Sequence, residues 1–202
     1  MIDTGVDDVT RRWTLRLVAG LAAGAVVLSG CSERQEANDT LPEADASVSA
    51  SEPELPPLGP PDLPMPAEAR TQDAAGAEAF VRYYIDLINR TSTVMDAAPL
   101  REFSDACADC NRIASLVEED AAAGRQYNDG RIVIKAVGAP LMREAAAEMA
   151  VRAEVAALTV KDATGAPLPD LSSPAYADLN GGVAIKWNAI KQTWIMTVLT
   201  LE

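Results

Sequence analysis

The chain contains no histidine. Imidazole is the side chain whose proton moves most readily near neutral pH and the commonest nitrogen ligand of zinc. Its absence excludes histidine-based acid–base chemistry, and it leaves the few cysteines short of a zinc ligand set. Basic residues are also scarce, with 17 Lys and Arg against 30 Asp and Glu and a formal net charge of −13. Binding to a phosphate backbone displaces counterions with a basic patch, and no stretch here supplies one, so nucleic acid is excluded as a partner class. The uncharged run from Leu17 to Gly30 falls short of the about 20 apolar residues that a permanent membrane helix needs.

What is present begins with that same run. Arg11, Arg12 and Arg16 precede it, and Leu28-Ser29-Gly30-Cys31 closes it. A basic lead, a short apolar stretch and small residues before a cysteine read as a lipoprotein signal. Small side chains at Ser29 and Gly30 let a peptidase approach the backbone, and Cys31 can be acylated before cleavage between Gly30 and Cys31 frees its amine. The competing readings are a transmembrane anchor or an ordinary cleaved signal with an incidental cysteine. Against both stand the shortness of the run and the abrupt change of composition at Cys31. Thr10-Arg11-Arg12-Trp13-Thr14-Leu15-Arg16 is compatible with twin-arginine export as well as with the general route. Each buried methylene contributes about 0.8 kcal/mol, so the several acyl chains of a mature lipoprotein would hold the protein firmly at the outer, extracytoplasmic face of the cell membrane.

Residues 31–70 read as a tether. Pro42, Pro53, Pro56, Pro57, Pro60, Pro61, Pro64 and Pro66 remove backbone donors, while Glu33, Glu36, Asp39, Glu43, Asp45, Glu52, Glu54, Asp62 and Glu68 oppose only Arg34 and Arg70. Such a segment is expected to be extended and solvated, giving the rest of the chain reach.

Residues 71–202 are long enough for one domain with its own core. Ala77, Phe80, Val81, Tyr84, Leu87, Ile88 and Thr91 recur at three- and four-residue spacing, predicting an amphipathic helix from about Asp73 to about Ser92, with Arg82 and Asp86 paired on the other face. A helical turn is expected over Ala97 to Phe103. A second long helix follows, capped by Ser104 or Asp105, with Cys107, Cys110, Ile113, Ala114, Val117 and Ala121 inward and Gly124 as its stop. The period then becomes two. Arg131 to Val137, Met149 to Ala157, Val183 to Asn188 and Thr193 to Val198 read as strands, with a bulge at Leu158 to Val160, a loop over Asp162 to Gly182 and a reversal at Asn188 to Gln192. Helices first and a curved antiparallel sheet after them make an α+β domain in which the sheet wraps the long first helix.

The string Gly76-Ala77-Glu78-Ala79-Phe80-Val81-Arg82-Tyr83-Tyr84, then Asn89, Cys107-x-x-Cys110, Gly130 and the terminal Trp194 strand, resembles an uncharacterised family of actinobacterial lipoproteins. Their folded part resembles the nuclear-transport-factor-2-like, or cystatin-like, cone. That superfamily includes isomerases, dehydratases and cyclases working inside the cone, and also binding and assembly modules, so the fold does not choose between them. Its enzymes place a carboxylate or histidine dyad in the cavity. Here the candidate acids are Asp96, Glu102 and Asp105, each of which also suits a helix start or a turn. Tyr84, Trp187 and Trp194 are candidate cavity residues, with core packing as the alternative.

Cys107 and Cys110 are expected to pair as a disulfide in an oxidising compartment, with Cys31 consumed by lipid. A redox centre at a helix N-terminus and a structural staple both fit the spacing; the missing βα junction and the lack of a third thiol favour the staple. No cofactor, metal or catalytic residue is assigned. The expected function is a membrane-tethered, non-enzymatic binding or interaction module of the cell envelope, meeting a cell-wall component, a lipophilic small molecule or an envelope protein. The alternative is a small isomerase or dehydratase using a cone carboxylate.

Overall fold

In the computed structural model, which describes residues 55–202, the apolar stripe of residues 77–91 becomes helix α1, Ala74–Val94. Asp73 caps it by accepting a hydrogen bond from the Gly76 amide, 2.7 Å, as expected of a short acidic side chain before a helix. The buried stripe is wider than the spacing predicts, because Tyr83 and Ile85 are covered too. Arg82 pairs with Glu78, 2.6 Å, and not with Asp86. An acid one turn N-terminal to its base is the better orientation of such a pair.

Helix α2, Ala98–Glu102, starts with Pro99 in its first turn, and helix α3 spans Ala108–Ala122. Neither Ser104 nor Asp105 caps α3. Both belong to a short stretch laid along the last strand, so the helix starts later and Cys107 itself is the cap. On its inner face Asp120, rather than Ala121, is buried. Gly124, at φ +70°, ends the helical run in the left-handed conformation that glycine adopts freely.

Seven strands follow: β1 Gln126–Asp129, β2 Ile132–Val137, β3 Leu141–Arg143, β4 Ala146–Val155, β5 Leu158–Lys161, β6 Tyr176–Asn188 and β7 Thr193–Leu201. The main sheet is antiparallel in the order β2-β4-β6-β7, with β3 also on β4, while β1 and β5 form a separate two-stranded ribbon. The expected bulge at Leu158 to Val160 is instead a break: β5 leaves the main sheet to pair with β1, which reconciles the switched parity of its apolar residues. Irregular register occurs within β2 at Ile134/Ala136, between β4 and β6 at Ala153/Val155, and between β6 and β7 at Ala184/Ile185. Such irregularities bend a sheet. Strand β6 begins at Tyr176, so the loop is shorter than expected and Gly181 and Gly182 lie within the strand.

Ala147, Met149, Val151, Val183, Ile185, Trp194 and Met196 on the sheet meet Phe80, Tyr84, Leu87, Leu100 and Phe103 from the helices in one core. This is the α+β layering expected, helices against an antiparallel sheet.

The folded unit reaches back beyond residue 71. Residues 55–70, read above as the end of a solvated tether, form a strap across the domain. Met65 and Ala69 are buried in the core, the Met65 amide donates to the Leu58 carbonyl, 2.8 Å, and a 3-10 turn spans Ala67–Arg70. Asp62 pairs with Arg90 of α1, 2.8 Å. At Gly59, φ +87°, a side chain would collide with the Tyr83 hydroxyl. Proline lowers the need for backbone partners without preventing apolar neighbours from packing, which is why composition alone misplaced the boundary. The rest of the expected tether and the whole signal segment, with Gly30 and Cys31, lie outside the described residues. Among the described residues no helix is long and apolar enough to cross a membrane.

Candidate functional site

Two of the three candidate acids and one candidate aromatic meet in a surface groove of about 570 Å³. One wall is the link between α2 and α3. There the Met196 amide donates to the Phe103 carbonyl and the Asp105 amide to the Met196 carbonyl, each 2.9 Å, laying the link along β7 and presenting Glu102, Ser104 and Asp105. The opposite wall is the end of β6 and its turn, with Lys186, Trp187, Ile190 and Lys191.

The turn is tightly held. The Asn188 side-chain oxygen accepts from the amides of Ile190, 3.0 Å, and Lys191, 2.9 Å. The Lys191 ammonium donates to the Glu102 carbonyl, 3.0 Å, and carboxylate, 3.3 Å, and sits 5.3 Å above the centre of the Phe103 ring. The Arg70 guanidinium donates to the Lys191 carbonyl, 3.3 Å, and to the Pro56 carbonyl, fastening the strap to the turn. Held this way, Ile190 is 96% exposed.

The remaining candidates lie elsewhere. Asp96 accepts from the Ala98 amide, 3.1 Å, at the start of α2 and faces Arg90, 3.5 Å. Tyr84 is fully buried and donates to the Leu100 carbonyl, 3.3 Å. Trp194 is likewise buried, and its indole N–H donates to the Thr71 carbonyl, 2.9 Å. Trp187 stands edge-on to Trp194, with ring centres 5.3 Å apart and planes at 74°, so one indole fills the interior and the other covers it at the groove. Tyr84 and Trp194 thus fill the interior between the helices and the sheet that a catalytic reading would leave open.

Cys107 and Cys110 are joined in a disulfide, Cα atoms 5.2 Å apart, and each is only 1% exposed. The Cys107 sulfur accepts from the Cys110 amide, 3.3 Å. A sulfur this covered offers an attacking thiolate no approach, and thiol–disulfide exchange requires one.

Where a carboxylate is shifted, the shift is downward. The Arg90 hydrogen bond lowers Asp62, the Gly76 amide lowers Asp73, Arg101 lowers Glu118 and the Thr164 hydroxyl lowers Asp162. Among the described residues no group of three or more acidic or cysteine side chains is placed to hold a metal. The sequence reading missed Asp120, which takes hydrogen bonds from Arg125, 2.6 Å, and the Tyr127 hydroxyl, 2.5 Å, tying α3 to β1. Its signal was an acid one turn beyond Val117 on the apolar stripe.

A second, larger groove of about 640 Å³ lies on the sheet, lined chiefly by Leu141, Glu148, Ala150, Gly182, Ala184 and Val198. Its walls are small and apolar and carry one titratable group.

The fold is similar to the crystal structure of the intermembrane space region of the chloroplast protein ARC6, at 14% identity over 65% of this chain and 97% of that one, with a TM-score of 0.46. It is similar also to Aln2 from a Streptomyces species, at 11% identity over 65% of this chain and 93% of that one, TM-score 0.41. A substituted form of Rd1NTF2_05 is similar at 8% identity over 63% of this chain and 96% of that one, TM-score 0.40. No protein-family model matches the sequence, and no curated protein matches it. At these identities a likeness concerns shape and transfers no site.

Proposed function

We propose that the protein is an exported lipoprotein of the actinobacterial type described above, acylated on Cys31 and held at the extracytoplasmic face of the cell membrane. Its folded unit is a non-enzymatic binding or interaction module of the envelope. The observation that carries the anchoring is the run Leu28-Ser29-Gly30-Cys31 behind a basic and then apolar lead.

Support for a binding rather than a catalytic role comes from the interior, where Phe80, Tyr84, Phe103 and Trp194 occupy the space a substrate would need. Proton transfer at carbon depends on an acid or base brought against the substrate with water excluded. Glu102, by contrast, is half-exposed and spends its charge on Lys191. The groove offers an indole, two ammonium groups and two carboxylates at a surface, which is the chemistry of recognition. An isomerase or dehydratase is the second reading, and its one support is that Glu102 and Asp105 share that groove.

Cells fed radiolabelled palmitate are expected to label the wild-type chain and not Cys31→Ser. Equal labelling of both, or of neither, overturns the anchoring. Native mass spectrometry of the protein released from its own envelope is expected to retain a lipophile or a protein.

A further inference from the structure

The strap gives the folded unit an orientation. Arg70 bridges the carbonyls of Pro56 and Lys191, so the point where the chain comes into the fold lies one guanidinium away from the β6–β7 turn. Leu55, 41% exposed, stands at that point, and Ile190, 96% exposed, stands on the turn. Beside them are Trp187, half-buried at the groove wall, and Lys186, which has no ion-pair partner among the described residues. Apolar side chains at a tip, an indole behind them and an ammonium at their flank are what a lipid–water interface accepts, since the apolar atoms enter the acyl boundary while indole and ammonium stay with the headgroups.

Resting on the reading that Cys31 carries lipid, we propose that the β6–β7 turn, with Ile190 at its apex and Leu55 beside it, docks on the lipid bilayer to which the chain is attached. Residues 32–54 lead from that anchor to this end of the fold. A tether converts docking into an intramolecular event, so a contact far too weak to recruit a free protein suffices to hold a tethered one. Glu102 and Asp105 both lie on the opposite wall of the groove, and Glu102 is paired with Lys191, 3.3 Å. The pinning of the turn by Asn188, Lys191 and Arg70 means that little order is lost on docking.

The test uses the full chain, purified from membranes and placed in vesicles of phosphatidylcholine and phosphatidylglycerol. An environment-sensitive fluorophore is attached at Ile190→Cys or, for comparison, at Asp178→Cys near the opposite end of β6, with the unsubstituted chain as background. The residue-190 probe is expected to shift to the blue and to be quenched severalfold more than the residue-178 probe by lipids carrying a headgroup-region quencher. A probe at Ala189→Cys is expected to lose that shielding when Ile190→Asp is added, a change at a solvent-exposed site that leaves the core untouched. Equal quenching at residues 190 and 178 overturns the proposal. So does shielding that needs native envelope proteins and is missing with lipid alone, which assigns the turn to a protein. The mass of the N-terminal peptide from the same preparation reads acylation separately. An unmodified Cys31 defeats the anchoring alone; docking is then read with the same probes on a chain held to the vesicles by an N-terminal histidine tag and a nickel-chelating lipid, which restores the tether by other means.

Discussion

At the scale of the residue, the interior phenols and indoles set what the molecule tolerates. Burial pushes the Tyr84 hydroxyl up to about 12 and raises Tyr83 and Tyr127 as well, desolvation being the first cause in each. An unfolded tyrosine ionises near 10, so the unfolded chain gives up these protons first. Stability from them is therefore whole below pH about 10 and falls as pH climbs through the folded values. Urea unfolding followed across that alkaline range should give a falling midpoint, and Tyr84→Phe should make the fall shallower; a midpoint flat to pH about 12 contradicts the assignment. At neutral pH the same substitution removes one buried hydrogen bond and should cost about 1 kcal/mol. Trp194→Ala empties the largest buried site and should cost about 3 to 5 kcal/mol by thermal unfolding. The lowered carboxylates act at the other end of the scale, adding stability above the ordinary carboxylate range that is lost as pH falls through their folded values.

Among the elements, legibility tracks length and period. Helix α1 could be read from residues 77–91 because a stripe that long has one explanation, and β6 and β7 because alternation around Trp187 and Trp194 brackets a turn. Strand β1, a four-residue polar run, and β3, three exposed residues, carry no periodic signal and exist through their partners β5 and β4. The same limit hid half of the site. Glu102, Asp105 and Trp187 were visible as candidates one by one, but Lys186, Ile190 and Lys191 enter the groove only because residues 103–105 run beside β7, a non-local pairing that no spacing announces. The disulfide is the element-scale case that can be measured. Replacing both Cys107 and Cys110 with serine should cost about 2 kcal/mol, the low end for so short a loop, and should loosen the start of α3 in hydrogen exchange. Because both sulfurs are covered, dithiothreitol should reduce the native bond slowly and much faster in urea. Fast reduction without urea revives the redox reading.

For the whole molecule, the strap changes where the folded unit begins. A chain started at residue 71 lacks Met65, Ala69 and Arg70, and should lose protease resistance relative to one started at residue 51. In the full chain, Met65→Ala should cost about 2 to 3 kcal/mol in urea unfolding. An unchanged midpoint would mean that the strap lies on the domain without supporting it. The prolines and acids of residues 53–66 misled because composition describes backbone donors and charge, while the apolar side chains of Leu58, Leu63 and Met65 decide packing.

The first strand of the main sheet carries a consequence of its own. Asn89 of α1 donates to the Ile132 carbonyl, 2.9 Å, and accepts from the Ile132 amide, 2.8 Å, so one side-chain amide does the work of a neighbouring strand. Further along, the register breaks around Lys135, whose ammonium pairs with Glu154 of β4, 2.7 Å. A border occupied at one end and buckled in the middle is a poor template for a passing peptide. Copies of the folded unit that meet along this strand, each with a solvent-facing sheet, are thereby kept from zipping into one another.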